Sequence, residues 1–436
     1  MNKRIVVIGG GLAGSEAAWQ MAKRGAKVTI YEMRGNKSTP AHKTDKLAEL
    51  VCSNSFRGNN LANAPGVLKE ELRRMGSLIM EAADYASVPA GGALAVDRDI
   101  FSTYITAKIV AEPAITLVRE EVTTLPQADA IIIATGPLTS DAFAASIAEL
   151  TKTEYLNFYD AAAPIITRES IDFDKVFFGV RYQKGDEEDY LNCPLTEKEY
   201  NDFYEYLLAA KRSEIHLAED FKVFEGCMPI EDMAQRGKRT LLFGPLKPVG
   251  LRDPRTDKRP YAVIQLRKEN KAATLFNLVG FQTSLIWSEQ KKLVQMIPGL
   301  EQAEIVRYGV MHRNTFINSP SLIYPNTQLK HQPEIFFAGQ ITGIEGYIES
   351  AASGWLAGYN VIRWLRSEPL LTMPAETMLG ALQLHITDTT SKDFQPIKSN
   401  FGIMPELDKT IKDKKLKKMA YATRALAALA KVEFID

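Results

Sequence analysis

Ile5-Val6-Val7-Ile8-Gly9-Gly10-Gly11-Leu12-Ala13-Gly14-Ser15-Glu16 is an apolar strand that breaks into glycine and continues as a helix-forming run. It reads as a dinucleotide-binding turn: Gly9 permits the tight bend, Gly11 lets backbone approach a pyrophosphate, and Gly14 lets the helix pack on the strand. Amides at the start of that helix, from Leu12 and Ala13 onward, can receive an anion, as Gly10 can within the turn. A second apolar run, Lys27-Val28-Thr29-Ile30-Tyr31-Glu32, follows and ends in a carboxylate eighteen residues beyond Gly14. Glu32 is thereby expected to accept from an adenosine ribose hydroxyl.

The 436 residues suffice for two or three domains, and 45% hydrophobic with 24% charged is an ordinary globular composition. Lys+Arg and Asp+Glu number 53 each, so any nucleic-acid surface must be local rather than global. No apolar run is long enough to span a bilayer, and the start of the chain is interrupted by glycines and Glu16 before it could serve as a signal peptide. The expected location is cytoplasmic, with no membrane partner. Cys52, Cys193 and Cys227 are widely spaced and form no C-x-x-C, which argues against a disulfide framework and against a metal site.

Outward from the turn, Leu47 to Val51 looks helical and leads into a polar stretch, Cys52 to Asn60. Residues 61–83 are expected to be one helix with Leu61, Val67, Leu68, Leu72, Met75 and Ile79 on its apolar face. Residues 88–98 form a glycine-interrupted loop able to approach a planar ligand, residues 99–111 a helix, and Ile115 to Val118 a short strand. Ala130-Ile131-Ile132-Ile133-Ala134-Thr135-Gly136 then resembles the buried strand that passes close to bound FAD in flavoproteins of the glutathione-reductase type. A strand, glycine turn and small-residue helix recur late, through Gly339, Gln340, Gly343, Glu345 and Gly346. That helix is expected to aim its N-terminus at a flavin ring, where amide donors stabilise negative charge. Basic residues cluster at Arg236, Lys238, Arg239, Lys247, Arg252 and Arg259, either an anion-binding surface or a solvated loop face, and six lysines fall between Lys409 and Lys418.

Several longer strings are more specific than any glycine fingerprint: TPAHKTDKLAELVCSNSFR at 39–57, SVPAGGALAVDR at 87–98, EGCMPIE at 225–231, RYGVMHRNTFINSP at 307–320 and AGQITGIEGYIESAASG at 338–354. With them the chain resembles, nearly end to end, the folate- and FAD-dependent tRNA (uracil-54-C5)-methyltransferases (TrmFO), relatives of the GidA flavoproteins. The resemblance implies an α/β fold: a Rossmann-like FAD-binding domain of the glutathione-reductase type, built from residues 1–185 and 275–436, with a smaller α+β domain inserted at 186–274. Gln340 departs from the aspartate that many flavoproteins of the wider fold place near the ribitol.

The same resemblance implies the chemistry. NADH or NADPH reduces FAD, 5,10-methylenetetrahydrofolate donates a one-carbon unit to the reduced flavin, and the flavin delivers it to C5 of a uridine in the tRNA T-loop. Uracil C5 is a poor nucleophile until a thiolate adds at C6, and a base must later remove the C5 proton. Cys227 is assigned the addition and Cys52 the role of base or of protecting the flavin adduct, with the reverse also open. Cys193, in an Asn-Cys-Pro setting, is read as packing. The six basic residues from Arg236 to Arg259 are the candidate surface for the T-arm, recognised by shape and phosphate contacts; DNA is not an expected partner. The competing readings are the same chemistry on ribosomal RNA, a flavoprotein oxidoreductase acting on a small molecule, and a flavin-bound RNA-binding protein without turnover.

Overall fold

The computed structural model describes residues 3–39, 41–152, 156–183, 186–213, 228–309, 311–390 and 394–435. The opening strand Ile5–Ile8 lies in the middle of a five-stranded sheet, between Val28–Tyr31 and Ala130–Ile133. Ile115–Val118 and Ile335–Phe337 close its two edges, and all neighbours run parallel. The three strands Ile5–Ile8, Ala130–Ile133 and Ile335–Phe337 are buried throughout and are near-continuous aliphatic or aromatic runs, whereas Val28–Tyr31 and the edge strand Ile115–Val118 are only partly buried.

One face of this sheet is covered by the turn helix, Leu12–Lys23, and across it by the late helix, Tyr347–Leu365. The two approach so closely that a Cβ on Gly354 would stand 2.2 Å from the Ala13 carbonyl oxygen, and one on Gly358 2.5 Å from that of Ala17. Small residues four apart on each helix thus let backbone meet backbone, and the far end of the chain returns to its beginning. Trp355 is buried there and donates from its indole nitrogen to the Met75 carbonyl at 2.9 Å.

The expected single helix over 61–83 is two, Ala64–Arg74 and Leu78–Tyr85. Gly76 takes φ +69° after the first, and the Ser77 hydroxyl caps the second by accepting from the Met80 amide. Leu47 to Val51 is not helical: Ala48 has φ +51° and its amide donates to the Gly10 carbonyl at 2.9 Å, tying this segment to the glycine turn. Residues 87–96 form a hairpin, Ser87–Val88 with Ala93–Val96, completed by Ser55–Gly58.

The second unit is a six-stranded antiparallel sheet in the order Phe177–Phe178, Tyr190–Leu195, Ala262–Lys268, Leu275–Leu278, Ile165–Thr167, Ile305–Arg307. Helices Glu197–Ala209 and Trp287–Gln295 accompany it. The bounds 186–274 are therefore too narrow: two strands of this sheet precede residue 186, two follow residue 274, and its own hydrophobic core extends from Ala163 to Ile305. An antiparallel ribbon, Leu156–Ala161 with Met311–Phe316, carries the chain out and back between the units.

Gly354→Ala is expected to cost about 2 kcal/mol or more, because the obstacle is a backbone carbonyl that no side-chain rotation can move. Gly92→Ala, whose Cβ would meet nothing within 4 Å, should stay within about 0.5 kcal/mol of the parent. Urea unfolding of the two variants checks the contrast.

Candidate functional site

Three adjoining cavities run along the carboxyl ends of the parallel strands, the usual place for a ligand in an open α/β sheet. The first is lined by Gly9, Gly11, Glu32, Arg34 and Thr135 among others. The second shares Gly11 and Thr135 with it and adds Leu12, Ala13, Ala134, Gly136, Gly339 and Gln340. The third shares Gln340 and Tyr347 with the second and is lined further by Cys52, Arg57, Glu345, Gly346 and Glu349. Twelve of the fifteen residues expected to hold the cofactor thus face one continuous path from Glu32 to Cys52.

The other three shape the path from behind. Gly10 donates its amide to Glu32 Oε2 at 2.8 Å. Gly14 packs so that a Cβ would fall 1.8 Å from the Gly9 carbonyl oxygen. Gly343, at φ +81°, ends the turn after Gly339, and a Cβ there would lie 2.5 Å from the Phe394 ring.

The midpoint of the path suits an anion. The turn helix has no side-chain cap and no acidic residue in its first turn, so its leading amides meet the cavity without competition from a carboxylate. Gly11 has φ −74°, and a Cβ on it would meet nothing within 4 Å. A side chain is tolerable to the fold there but would occupy the path. These features fit the pyrophosphate of an extended dinucleotide.

Glu32 is more engaged than its sequence position suggests. Oε1 accepts from the Arg34 amide at 2.9 Å and Nε at 3.0 Å, while Oε2 accepts from Arg34 Nη2 at 3.0 Å and from Gly10. Burial works to raise its pKa, but the Arg34 guanidinium and the two amides outweigh burial and hold the carboxyl below its ordinary range. A ribose hydroxyl arriving here meets an ion pair, and Arg34 is a residue that sequence reasoning passed over.

At the other end, the late helix begins at Tyr347 with Gly346 as an N-cap that offers no side-chain bond. Its first residues line the Cys52 cavity, so the positive end of the helix dipole is delivered there. The Tyr347 hydroxyl accepts from the amides of Cys52 at 2.9 Å and Ser53 at 3.0 Å. Burial, with the neighbouring Cys52, pushes the phenol pKa well up, so the hydroxyl keeps its proton. Glu349, on the same helix, forms an ion pair with Arg57 across the cavity.

Cys227 lies outside the described residues. The described chain resumes at Met228, and the Ile230 amide donates at 2.7 Å to the carbonyl of Gln282, a residue that lines the Cys52 cavity. Cys193 is fully buried within the second core and burial pushes its thiol pKa up, in keeping with a packing role. Arg236, Lys238, Arg239, Arg252 and Arg259 are exposed and Lys247 is half-buried. Arg239 lies 5.4 Å from the centroid of the Phe243 ring, which is 73% exposed, and Lys247 lies 6.0 Å from that of Tyr182. Charge and exposed aromatics are interleaved on this surface. Among the described residues there is no cluster of three or more His, Cys, Asp or Glu side chains able to hold a metal ion, and no helix is long and apolar enough to cross a membrane.

The parallel sheet with its glycine turn, the second antiparallel unit and the continuous path between them define a dinucleotide-fold protein of the GidA type. The family model described as glucose inhibited division protein A matches residues 4–369. The solved GidA of Aquifex aeolicus superposes with a TM-score of 0.71 at 17% identity, covering 98% of this chain and 73% of that one, a likeness of fold. Within that class the chain belongs to the TrmFO family. The methylenetetrahydrofolate–tRNA-(uracil-5-)-methyltransferase TrmFO of Listeria monocytogenes serotype 4b (strain F2365) is 60% identical over 432 residues, 99% of each chain. That of Enterococcus faecalis (strain ATCC 700802 / V583) is 58% identical over 432 residues, again 99% of each.

Gly11→Ala should therefore separate binding from folding. Stability is expected to fall by about 1 kcal/mol or less, while FAD retention weakens at least about tenfold because a methyl group enters the path. Flavin fluorescence titration beside thermal unfolding reads both.

Proposed function

We propose that this protein methylates C5 of a uridine in tRNA, taking the carbon from 5,10-methylenetetrahydrofolate, with FAD as its bound cofactor. The observation that carries the reading is the path from Glu32 past the glycine turn to Cys52, on a chain that belongs to the TrmFO family. When bound and reduced, FAD supplies the carrier for the one-carbon unit and the hydride that completes the methyl group. The residues that would hold it are Glu32 and Arg34 at the adenosine end, the amides from Leu12 to Gly14 at the pyrophosphate, and Gln340, Gly346 and Tyr347 at the ring.

The finer features belong to the same proposal: uridine 54 of the T-arm as target, NADH or NADPH as the visiting reductant, and the cytoplasm as the setting. A uridine must leave its stack to reach the cavity, and the exposed Arg239–Phe243 surface offers charge for phosphate and a ring for stacking. The Cys227 thiolate adds to C6, making C5 nucleophilic. Once C5 carries its new substituent, Cys52 receives the C5 proton, and departure of the Cys227 thiolate restores the 5,6 double bond. Cys227 stands three residues before Ile230, which is anchored beside this cavity. The unreactive surroundings of Cys193 leave these two thiols for the chemistry.

Nucleoside mass spectrometry of an unmodified tRNA transcript, incubated with FAD-loaded protein, NAD(P)H and methylenetetrahydrofolate, tests the proposal. Formation of 5-methyluridine that requires the folate, and that vanishes when uridine 54 is replaced, is the expected result. Protein that binds and reduces FAD yet leaves the transcript unchanged would refute the tRNA assignment. Cys52→Ala and Cys227→Ala should each lower product formation by about a thousandfold or more. With a 5-fluorouridine transcript, which has no C5 proton to lose, only the variant lacking the C6 nucleophile should fail to form a covalent complex stable to denaturation.

A further inference from the structure

The segment that carries Cys52 makes little use of its own backbone for support and is held by side chains from remote elements. Arg98, at the start of helix Arg98–Ala111, donates from Nη1 to the Leu50 carbonyl at 2.6 Å and from Nη2 to the Cys52 carbonyl at 3.3 Å. Between them, the Val51 carbonyl accepts from Arg307 Nη2 at 2.6 Å. Arg267 completes the set: its Nε and Nη2 donate to Asn54 Oδ1 at 3.1 and 2.7 Å, and Nη2 reaches Ser53 Oγ at 3.1 Å. Asn54 in turn donates to the carbonyls of Val96 at 3.0 Å and Lys268 at 3.2 Å.

Three consecutive carbonyls therefore point at guanidinium groups, and the amides of Cys52 and Ser53 point at the Tyr347 hydroxyl. Arg98 comes from the parallel-sheet unit, whereas Arg267 and Arg307 come from strands of the antiparallel sheet. The loop is thus clamped by both units at their junction. Satisfying buried backbone would need donors but not charges. Here every carbonyl donor is a cation, and burial, which lowers the pKa of Arg267 and Arg307, does not discharge a guanidinium.

Charged groups of both signs surround the loop. Glu269 forms an ion pair with Arg98. The cavity wall contributes Arg57 and Lys398 against Glu345 and Glu349, Glu349 being paired with Arg57 and Glu345 hydrogen-bonded to Gln340. Tyr347 is held neutral by burial. Glu269 also faces Arg267 and Arg307, and Glu49 faces Arg307, so what the three guanidiniums give the loop is a set of directed donors.

We infer that Arg98, Arg267 and Arg307 are positioning residues that fix the Cys52 loop, through its carbonyls and side chains, at the end of the dinucleotide path. The inference rests on the proposed role of Cys52 and names what readies it. Because the clamp draws on both units, the thiol is ready only when they are docked as seen here.

The test uses the full-length, FAD-loaded protein with Arg307→Met, which removes the donor to the Val51 carbonyl, and Arg307→Lys, which keeps one. Alkylation of Cys52 by iodoacetamide at one fixed pH is followed on the Cys52 peptide by mass spectrometry, beside kcat and KM for methyl transfer. Arg307→Met is expected to lower kcat about tenfold, with KM for tRNA held within about twofold, and to speed alkylation at least about threefold as the loop loosens. Arg307→Lys should restore both within about threefold of the parent. An Arg307→Met protein with parent kcat and alkylation rate, or one that Arg307→Lys merely matches, would overturn the inference. Should Arg307→Met not retain FAD, the same pair at Arg98 provides the reading. A Cys52→Ala protein that methylates at the parent rate, while alkylation of Cys52 still quickens in Arg307→Met, would remove the catalytic role of Cys52 and leave the clamp standing.

Discussion

The structure depends on backbone meeting backbone around one short helix. A Cβ on Gly14 would fall 1.8 Å from the Gly9 carbonyl oxygen, and Cβ atoms on Gly354 and Gly358 would fall 2.2 and 2.5 Å from the carbonyls of Ala13 and Ala17. Side chains are excluded at these crossings, so the positions of the turn, the first strand and the late helix are fixed by hard contact rather than by adjustable packing. Two uncapped helix N-termini are consequently presented to one path, the first at its middle and the second at its far end. The first, with no acidic residue in its opening turn, suits a pyrophosphate, while the second carries Glu349 in its opening turn, paired with Arg57.

From that fixed point the path leads to a junction. The Cys52 segment lies where the parallel sheet, the small hairpin sheet and the antiparallel sheet meet, and arginines from two of the units reach it. The second unit thus does more than carry a basic surface: strands Ala262–Lys268 and Ile305–Arg307 supply groups that hold the loop at the end of the dinucleotide path. A substrate engaging the exposed Arg239 and Phe243 would be held by the same unit that grips the Cys52 loop.

Much of this was legible in the sequence, for reasons that can be named. The glycine turn, Glu32 and the Ala-Thr-Gly strand announce themselves because close backbone approach admits few residue types. Cys52 and Cys227 stood out through long strings shared with a family, not through spacing. The division at Gly76-Ser77 was readable as a helix stop followed by a cap, but the apolar periodicity ran straight across it. The breadth of the second unit was not readable, since strands as short as Ile165–Thr167, Phe177–Phe178 and Ile305–Arg307 are too brief for alternation to show. Arg34, Arg98, Arg267 and Arg307 were invisible as functional groups. What each one holds is fixed by tertiary structure, and for Arg267 the partner Asn54 is 213 residues away.

The most direct test of the account is a crystal structure of the protein loaded with FAD. The adenosine ribose is expected at Glu32 and Arg34, the pyrophosphate on the amides of Leu12 to Gly14, and the isoalloxazine ring in the cavity bounded by Cys52, Gly346 and Tyr347. A flavin bound with its ring away from Cys52, or in the opposite direction along the path, would contradict it.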